Sequence, residues 1–318
     1  MAFNLENTLV IGISATALFD LTQADKLFKD EYKKHPDSAI DIYRKHMLDS
    51  EHIPLEEGIG YPLVKSLLNL NRYQKNGESP LVEVVVMSRN SPDTGVRVLN
   101  TIRELNLNIT RSAFTAGESS ADYLEAFDVD LFLTTNEDDA QKVIDTRVCA
   151  SAVLSTPPEY KCDIPDEQVR IAFDGDAVLF DESSELVYKE NGMQAFHEME
   201  EKSQNIPMSE GPFATFLKKL ACLQERLPMK MEFSPVRIAI VTARNAPSDL
   251  RVIKTLRHWG VYVDEAFFLG GIEKSKILKS FKAHIFFDDQ DVHLKESSLV
   301  VPSGKVLYPS NSKLNKHK

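Results

Sequence analysis

Residues 171–180 read IAFDGDAVLF, an apolar run that stops at Asp174 and carries a second carboxylate, Asp176, one residue beyond Gly175. A short apolar run ending in polar residues is how a buried parallel strand meets its C-terminal loop. The phrase occurs earlier in neutral form. Residues 10–19 read VIGISATALF, with Ser14 and Thr16 in the places of the two acids. Working outward, residues 240–257 (IVTARNAPSDLRVIKTLR) echo residues 85–103 (VVMSRNSPDTGVRVLNTIR), and residues 284–291 (HIFFDDQD) echo residues 130–137 (DLFLTTNE). The offset is 160 for Asp174 and Ser14, 153 for Ile206 and Ile53, 155 for Thr242 and Met87, and 154 both for Arg251 and Arg97 and for Asp288 and Thr134. A nearly constant offset of this length is the mark of a tandem duplication of whole domains, not of a short-repeat array. The chain reads as one unit written twice, and only the second copy keeps its acids.

The bulk properties bound the function. At 318 residues, 42% of them apolar and 27% charged, the chain is long enough for two ordinary domains, each expected to bury its own core. The net charge of −11 makes a nucleic-acid backbone a poor partner, since phosphate binding at that scale needs a basic face. Cys149, Cys162 and Cys222 show no metal-binding or paired spacing. They are expected to be reduced thiols, with Cys222 buried in an apolar helical run. The first residues carry no basic stretch with a cleavage pattern, and no apolar run approaches membrane-spanning length. A cytoplasmic location without a membrane partner is the expectation.

The second copy alternates strands and helices. Strands are predicted at 169–173, 236–241, 266–269 and 285–287, with helices at 248–259 and 274–281. Residues 191–227 are helical in pattern and interrupted near Asn205–Gly211. Alternation of this kind predicts an α/β fold with a parallel sheet and helices on both faces. Ligands of such sheets bind beyond the carboxyl ends of the strands. The expected division is a first domain over 1–156, a stiff linker over 157–166 marked by Pro157, Pro158 and Pro165, and a second domain over 167–318 with a helical cap inserted at about 183–230.

Asp174, Thr242 and Asp288 each follow an apolar strand, so they should converge on one sheet edge. Asp174 and Asp176 with Asp288 can hold one hard divalent cation, and Mg²⁺ favours such oxygen ligands together with substrate phosphate. Asp174 can then attack phosphorus as a nucleophile. Asp176 can protonate the leaving oxygen and later deprotonate water. Thr242 and the backbone at Gly175 and Ala243 can hold phosphate oxygens, and Lys274 can offset the charge on the transferring group. Arg244 and Asn245 stand beside Thr242 as candidate phosphate or ribose contacts. Their counterparts Arg89 and Asn90 persist where the acids are lost, which favours a loop-orienting role. Phe196 and Phe213 in the insert are candidates to stack on a base, against the more ordinary role of helix packing.

The order DGDAVLF, IVT, Lys274 and FFDD resembles the four motifs of the haloacid dehalogenase superfamily of phosphohydrolases. Within it, RIAFDGDAVLF, VTARNAPSDLRVIKTLRHWG, HIFFDDQ and, in the first copy, VVMSRNSPDTGVRVLN and TAGESSADYL are similar to the cytosolic 5′-nucleotidase type I family. The resemblance covers roughly residues 8–305. It implies two tandem Rossmannoid domains and Mg²⁺-dependent hydrolysis of nucleoside 5′-monophosphates, AMP-like or deoxypyrimidine, through an aspartyl-phosphate. It also implies Asp288 as a direct metal ligand, with Asp289 one step behind. A phosphatase of another small phosphomonoester and a non-catalytic nucleotide-binding regulator are the alternatives. In the first copy Ser14, Thr16, Met87, Ser120, Thr134 and Thr135 replace the six site residues. That half is expected to be catalytically silent, serving as support, as a subunit interface in a homo-oligomer, or as a site for a nucleotide effector.

Overall fold

The computed structural model describes residues 5–155, 168–228 and 234–317. The expected linker at 157–166 and Cys162 lie outside the described residues. Among the described residues there are twelve strands: β1 (Leu9–Ser14), β2 (Phe19–Asp20), β3 (Glu56–Glu57), β4 (Val82–Ser88), β5 (Arg111–Phe114), β6 (Leu131–Thr134), β7 (Ala150–Ser155), β8 (Val169–Phe173), β9 (Val236–Thr242), β10 (Glu265–Phe268), β11 (Ile285–Asp288) and β12 (Ser303–Lys305). Apart from the short β2–β3 pair they form one ten-stranded sheet in the order β10-β9-β8-β11-β12-β7-β6-β1-β4-β5. This is the mixed α/β architecture that alternating strands and helices predict.

Read outward from the middle, the two halves of the sheet have matching orders. β8 lies between β9 and β11 as β1 lies between β4 and β6, all in parallel register. Each half also has a fifth strand that the sequence patterning did not predict, and these two meet in the centre. β12 pairs with β7 antiparallel through Ser303–Ser155, Gly304–Leu154 and Lys305–Val153. Gly304 permits that close approach, because a Cβ there would stand 2.9 Å from the Phe287 ring and 3.0 Å from Ala152 Cβ. Since every other pairing in the sheet is parallel, this seam sends the carboxyl ends of the two halves to opposite edges.

Matched contacts recur in the two halves. Arg97 Nε donates to the carbonyl of Ile53 at 2.9 Å, and Arg251 Nε donates to that of Ile206 at 2.9 Å. The amide of Leu55 donates to Thr101 Oγ1, as that of Met208 donates to Thr255 Oγ1, both at 3.1 Å. Gly58 and Gly211 sit against backbone that a Cβ would meet at 2.7 and 2.3 Å. These pairs explain why IPLEEG and IPMSEG are shared strings: the isoleucine carbonyl holds an arginine, and the glycine permits close chain crossing.

The expected separate cores merge in one large cluster, while two smaller clusters stay each within a single half. A single apolar cluster runs from Leu9, Ile11 and Val84 to Ile171, Phe173, Ile240 and Phe287. Helix Tyr61–Asn69 reaches β8 of the other half, and helix Ala214–Arg226 reaches β1. Phe213, Phe216, Leu217, Leu220 and Leu223 are all buried in this cluster, at the three- and four-residue spacing of a core-facing helical stripe. That corrects the cap assignment, because the second helix of the 183–230 insert belongs to the core. Only the first, Ser183–Lys202, lies along the sheet edge, and it bends at Gly192, whose φ is 80°. Cys222 is on the outer side of the core helix and exposed, contrary to expectation. Among the described residues no helix is long and apolar enough to cross a membrane.

Candidate active site

β9, β8 and β11 are neighbours, so their carboxyl ends deliver Thr242, Asp174 and Asp288 side by side. The Asp174 amide donates to the Phe287 carbonyl at 2.8 Å, which fixes the start of the loop against β11. The chain then turns sharply through Ala177, at φ 57°, a left-handed conformation uncommon for a residue with a Cβ. Thr242 is brought against this loop, since a Cβ at Gly175 would lie 3.3 Å from its hydroxyl. The amide of Arg244 donates to that hydroxyl at 3.3 Å.

Lys274 opens the helix Lys274–Phe281 and points back under the loop. Its Nζ lies 2.8 Å from Asp174 Oδ1 and 2.7 Å from Asp288 Oδ2, and all three side chains are buried. The carboxylates of Asp174, Asp288 and Asp289 each offer an oxygen within 4.8 Å of the others. Burial pushes the Asp174 carboxyl up to about 6, with Asp288 adding to the rise and Lys274 opposing it. Burial likewise raises Asp288 and Asp289, the latter well above its ordinary value. Burial would lower Lys274, but the attraction of Asp174 and Asp288 outweighs it and holds the ammonium charged.

Three buried carboxylates against one buried ammonium leave two surplus negative charges (3 − 1 = 2). Buried charge of that kind persists only when paired or bound to a metal. Asp289 Oδ1 is also buried without a hydrogen-bond partner among the described residues. An all-oxygen donor set with a surplus of two charges fits a hard divalent cation.

Asp176 lies outside this group. Arg244 holds it in a two-pronged contact, with Nε donating to Oδ2 at 2.8 Å and a terminal nitrogen to Oδ1 at 2.6 Å. The other arm of Arg244 donates to Glu200 at 2.7 Å, and Glu200 accepts from Arg251 at 3.0 Å and from the Ser184 hydroxyl at 2.8 Å. The result is a buried four-charge network tying the acid loop to the edge helix. Asp176, expected as a metal ligand, is absent from the group of carboxylates that could share an ion among the described residues. Asp289, expected one step behind Asp288, offers an oxygen within the carboxylate group.

The remaining candidates separate clearly. Arg244 is buried within the network. Asn245 Oδ1 lies 3.3 Å from His197 Nε2 on the edge helix, as Asn90 Oδ1 accepts from Tyr43 at 3.0 Å in the first half. Phe213 is fully buried, its ring 4.7 Å from Phe287 and packed with Phe173 and Phe216, so it offers no face to a base. Phe196 is buried with its ring 5.2 Å from the Arg244 guanidinium carbon. Gly175 and Ala243 stand in the loops that flank the acids.

Sequence reasoning passed over Glu200, Arg251 and Tyr308. Arg251 had a signal, its match to Arg97 in the repeated string. Glu200 and Tyr308 had none.

At the opposite edge, the positions that match the four acids carry hydroxyls: Ser14, Thr16, Thr134 and Thr135. Ser14 and Thr16 share a hydrogen bond at 3.1 Å, and Thr16 and Thr135 share one at 2.6 Å. Arg89 forks onto Asp139 at 3.0 and 2.6 Å. The motif arginine thus finds a carboxylate in both halves, from different elements.

The sequence matches the 5′-nucleotidase family over residues 1–313. The chain belongs to the 5′-nucleotidase family. It is 33% identical to human cytosolic 5′-nucleotidase 1B over 297 residues, which is 91% of this chain and 47% of that protein. The chain therefore spans about half the length of this curated relative. No solved structure matches it. The matched region includes every residue of the carboxylate group and of the arginine network.

Proposed function

We propose that this chain hydrolyses nucleoside 5′-monophosphates to nucleoside and phosphate. The observation that carries the proposal is the cluster of Asp174, Lys274, Asp288 and Asp289, with its two surplus buried charges at the carboxyl ends of adjacent strands. Family membership supplies the substrate class.

Asp174, Asp288 and Asp289 would hold one Mg²⁺. When bound, the ion screens the substrate phosphate from the anionic nucleophile and polarises a phosphoryl oxygen. An oxygen of Asp174 attacks phosphorus, the bond to the nucleoside 5′-oxygen breaks, and that oxygen takes a proton from Asp176. Water then attacks the aspartyl-phosphate. Asp176 takes the proton of that water, and phosphate leaves Asp174. Lys274 stays charged throughout, restraining Asp174 and offsetting charge on the phosphoryl oxygens, while the Thr242 hydroxyl and adjacent amides hold those oxygens. Arg244 ties Asp176 to the Glu200 network, so the aim of this carboxyl depends on the edge helix.

The first half is best explained as a second, catalytically silent copy of the same unit. Its matching strand order and the repeated Arg97/Arg251 and Thr101/Thr255 contacts support the duplication. Its Ser14, Thr16, Met87, Ser120, Thr134 and Thr135 supply neither a nucleophilic carboxylate nor a metal cage. Its part is to complete the shared core.

The test is phosphate release from a panel of nucleoside monophosphates and sugar phosphates, in Mg²⁺ and in EDTA. Turnover of nucleotides in Mg²⁺ alone is expected. Faster turnover of sugar phosphates than of every nucleotide would reverse the substrate assignment.

A further inference from the structure

The residues after β12 run as a strap across both halves of the molecule. The Val306 amide donates to the Asp288 carbonyl at 2.9 Å, so the strap leaves directly from the acid group. Leu307 packs with Ala140 and Ile144 of the first half. Helix Glu137–Thr146 grips the strap at two places: Gln141 Nε2 donates to the Tyr308 carbonyl at 2.9 Å, and Asp145 accepts from the Ser310 amide at 2.7 Å and hydroxyl at 2.6 Å. Ser312 then donates to Glu182 at the start of the edge helix. Pinned this way, the Tyr308 hydroxyl donates to Asp289 Oδ2. The other oxygen of Asp289 is the buried one without a hydrogen-bond partner, within the carboxylate group. The Tyr308 ring also walls a cavity of about 750 Å³ between the two halves.

A carboxylate that binds metal through one oxygen needs its other oxygen fixed, since a free carboxyl rotates and swaps its donors. We infer that Tyr308 is a positioning residue that fixes Asp289 toward the metal, and that the first half, through Gln141 and Asp145, holds Tyr308 in place. The inference rests on the nucleotidase reading for the metal, but it concerns binding and not turnover. Outer ligand partners of this type are worth about 10–100-fold in metal affinity.

The experiment measures Mn²⁺ binding directly, by calorimetry and by the electron paramagnetic resonance of free Mn²⁺, on the full chain. Tyr308→Phe is expected to weaken Mn²⁺ by about 10-fold or more, with KM for nucleotide at saturating metal near that of wild type. In an Asp289→Ala background the same change should add nothing further, because the partner is gone. Equal Mn²⁺ affinity for Tyr308→Phe and wild type would overturn the inference and leave the nucleotidase reading intact. A wild type that binds Mn²⁺ more tightly than Tyr308→Phe yet releases no phosphate would do the reverse. Should Tyr308→Phe lose its fold by circular dichroism, Gln141→Ala, which frees the Tyr308 carbonyl and releases one contact to Asp145, must weaken Mn²⁺ in the same direction; unchanged affinity there would also overturn it.

Discussion

Replacing Asp174 by Asn should abolish turnover and yet stabilise the metal-free protein. The magnitude follows from the site. Burial carries the Asp174 carboxyl from an ordinary 3.8 to about 6, and at about 1.4 kcal/mol per pKa unit that is a penalty of about 3 kcal/mol for the charged form. The side chain is only 6% exposed, so solvent screening does not discount it. The sign follows from an acid whose folded value is raised: ionisation opposes folding fully above about pH 6, and the penalty disappears as pH falls toward 3.8. Asparagine keeps the shape without the charge, and Lys274 keeps Asp288 as its partner. In EDTA at pH 7.5 the variant should therefore melt higher than wild type by up to about 6 °C, taking roughly 2 °C per kcal/mol for a chain of this size. By pH 5 the gap should shrink. Saturating Mg²⁺ should close or invert it, since a ligand at a hundredfold its Kd stabilises by about 2.7 kcal/mol and the variant has one carboxylate fewer to bind it. Scanning fluorimetry across pH, with EDTA or Mg²⁺, is sufficient. A variant that melts below wild type in EDTA at pH 7.5, or a gap that does not respond to pH, would refute the surplus-charge argument.

Ser14→Ala should leave turnover close to wild type in the same assay that shows Asp174→Asn dead by several orders of magnitude; equal losses would make the first half a partner in catalysis. Gly211→Ala drives a Cβ to 2.3 Å from the Phe180 carbonyl and 2.6 Å from that of Val178. It should cost about 1–3 kcal/mol or more by thermal or urea unfolding, as overpacking does. Arg244→Met removes a cation from between Asp176 and Glu200, two buried acids. The expected cost is about 3–5 kcal/mol, with a drop in kcat larger than any rise in KM, because Asp176 loses the fork that aims it.

The strands of the second half, their order of acids and the helix beginning at Lys274 were legible because each apolar run ends abruptly at a polar residue. The helix predicted over 274–281 spans Lys274–Phe281 as observed. The two seam strands were not legible: Ser303–Lys305 is three residues with a central glycine, and nothing in such a stretch marks a strand until β7 is beside it. The periodicity of Phe213, Phe216, Leu217, Leu220 and Leu223 did announce a core helix, and the cap reading overlooked it. Arg244 with Asp176, Glu200 with Arg244 and Tyr308 with Asp289 are contacts over 68, 44 and 19 residues. Pairings of that kind are set by how elements cross, and local pattern carries no trace of them.

The antiparallel seam has a consequence for how the two ends of the molecule can influence each other. Strands of five or six residues are about 17–20 Å long, and the hydroxyl-lined rim around Ser14 and Thr16 sits at the far side of that depth from Asp174. No single small molecule can bridge the two rims, and nothing bound at one can touch chemistry at the other. Whatever passes between them must travel as displacement of shared parts: the crossed helices, the seam at Gly304, or the strap that passes beside Asp289. A head-to-tail arrangement of this kind allows one rim to drift in sequence while the scaffold beneath it stays under the constraint of the other.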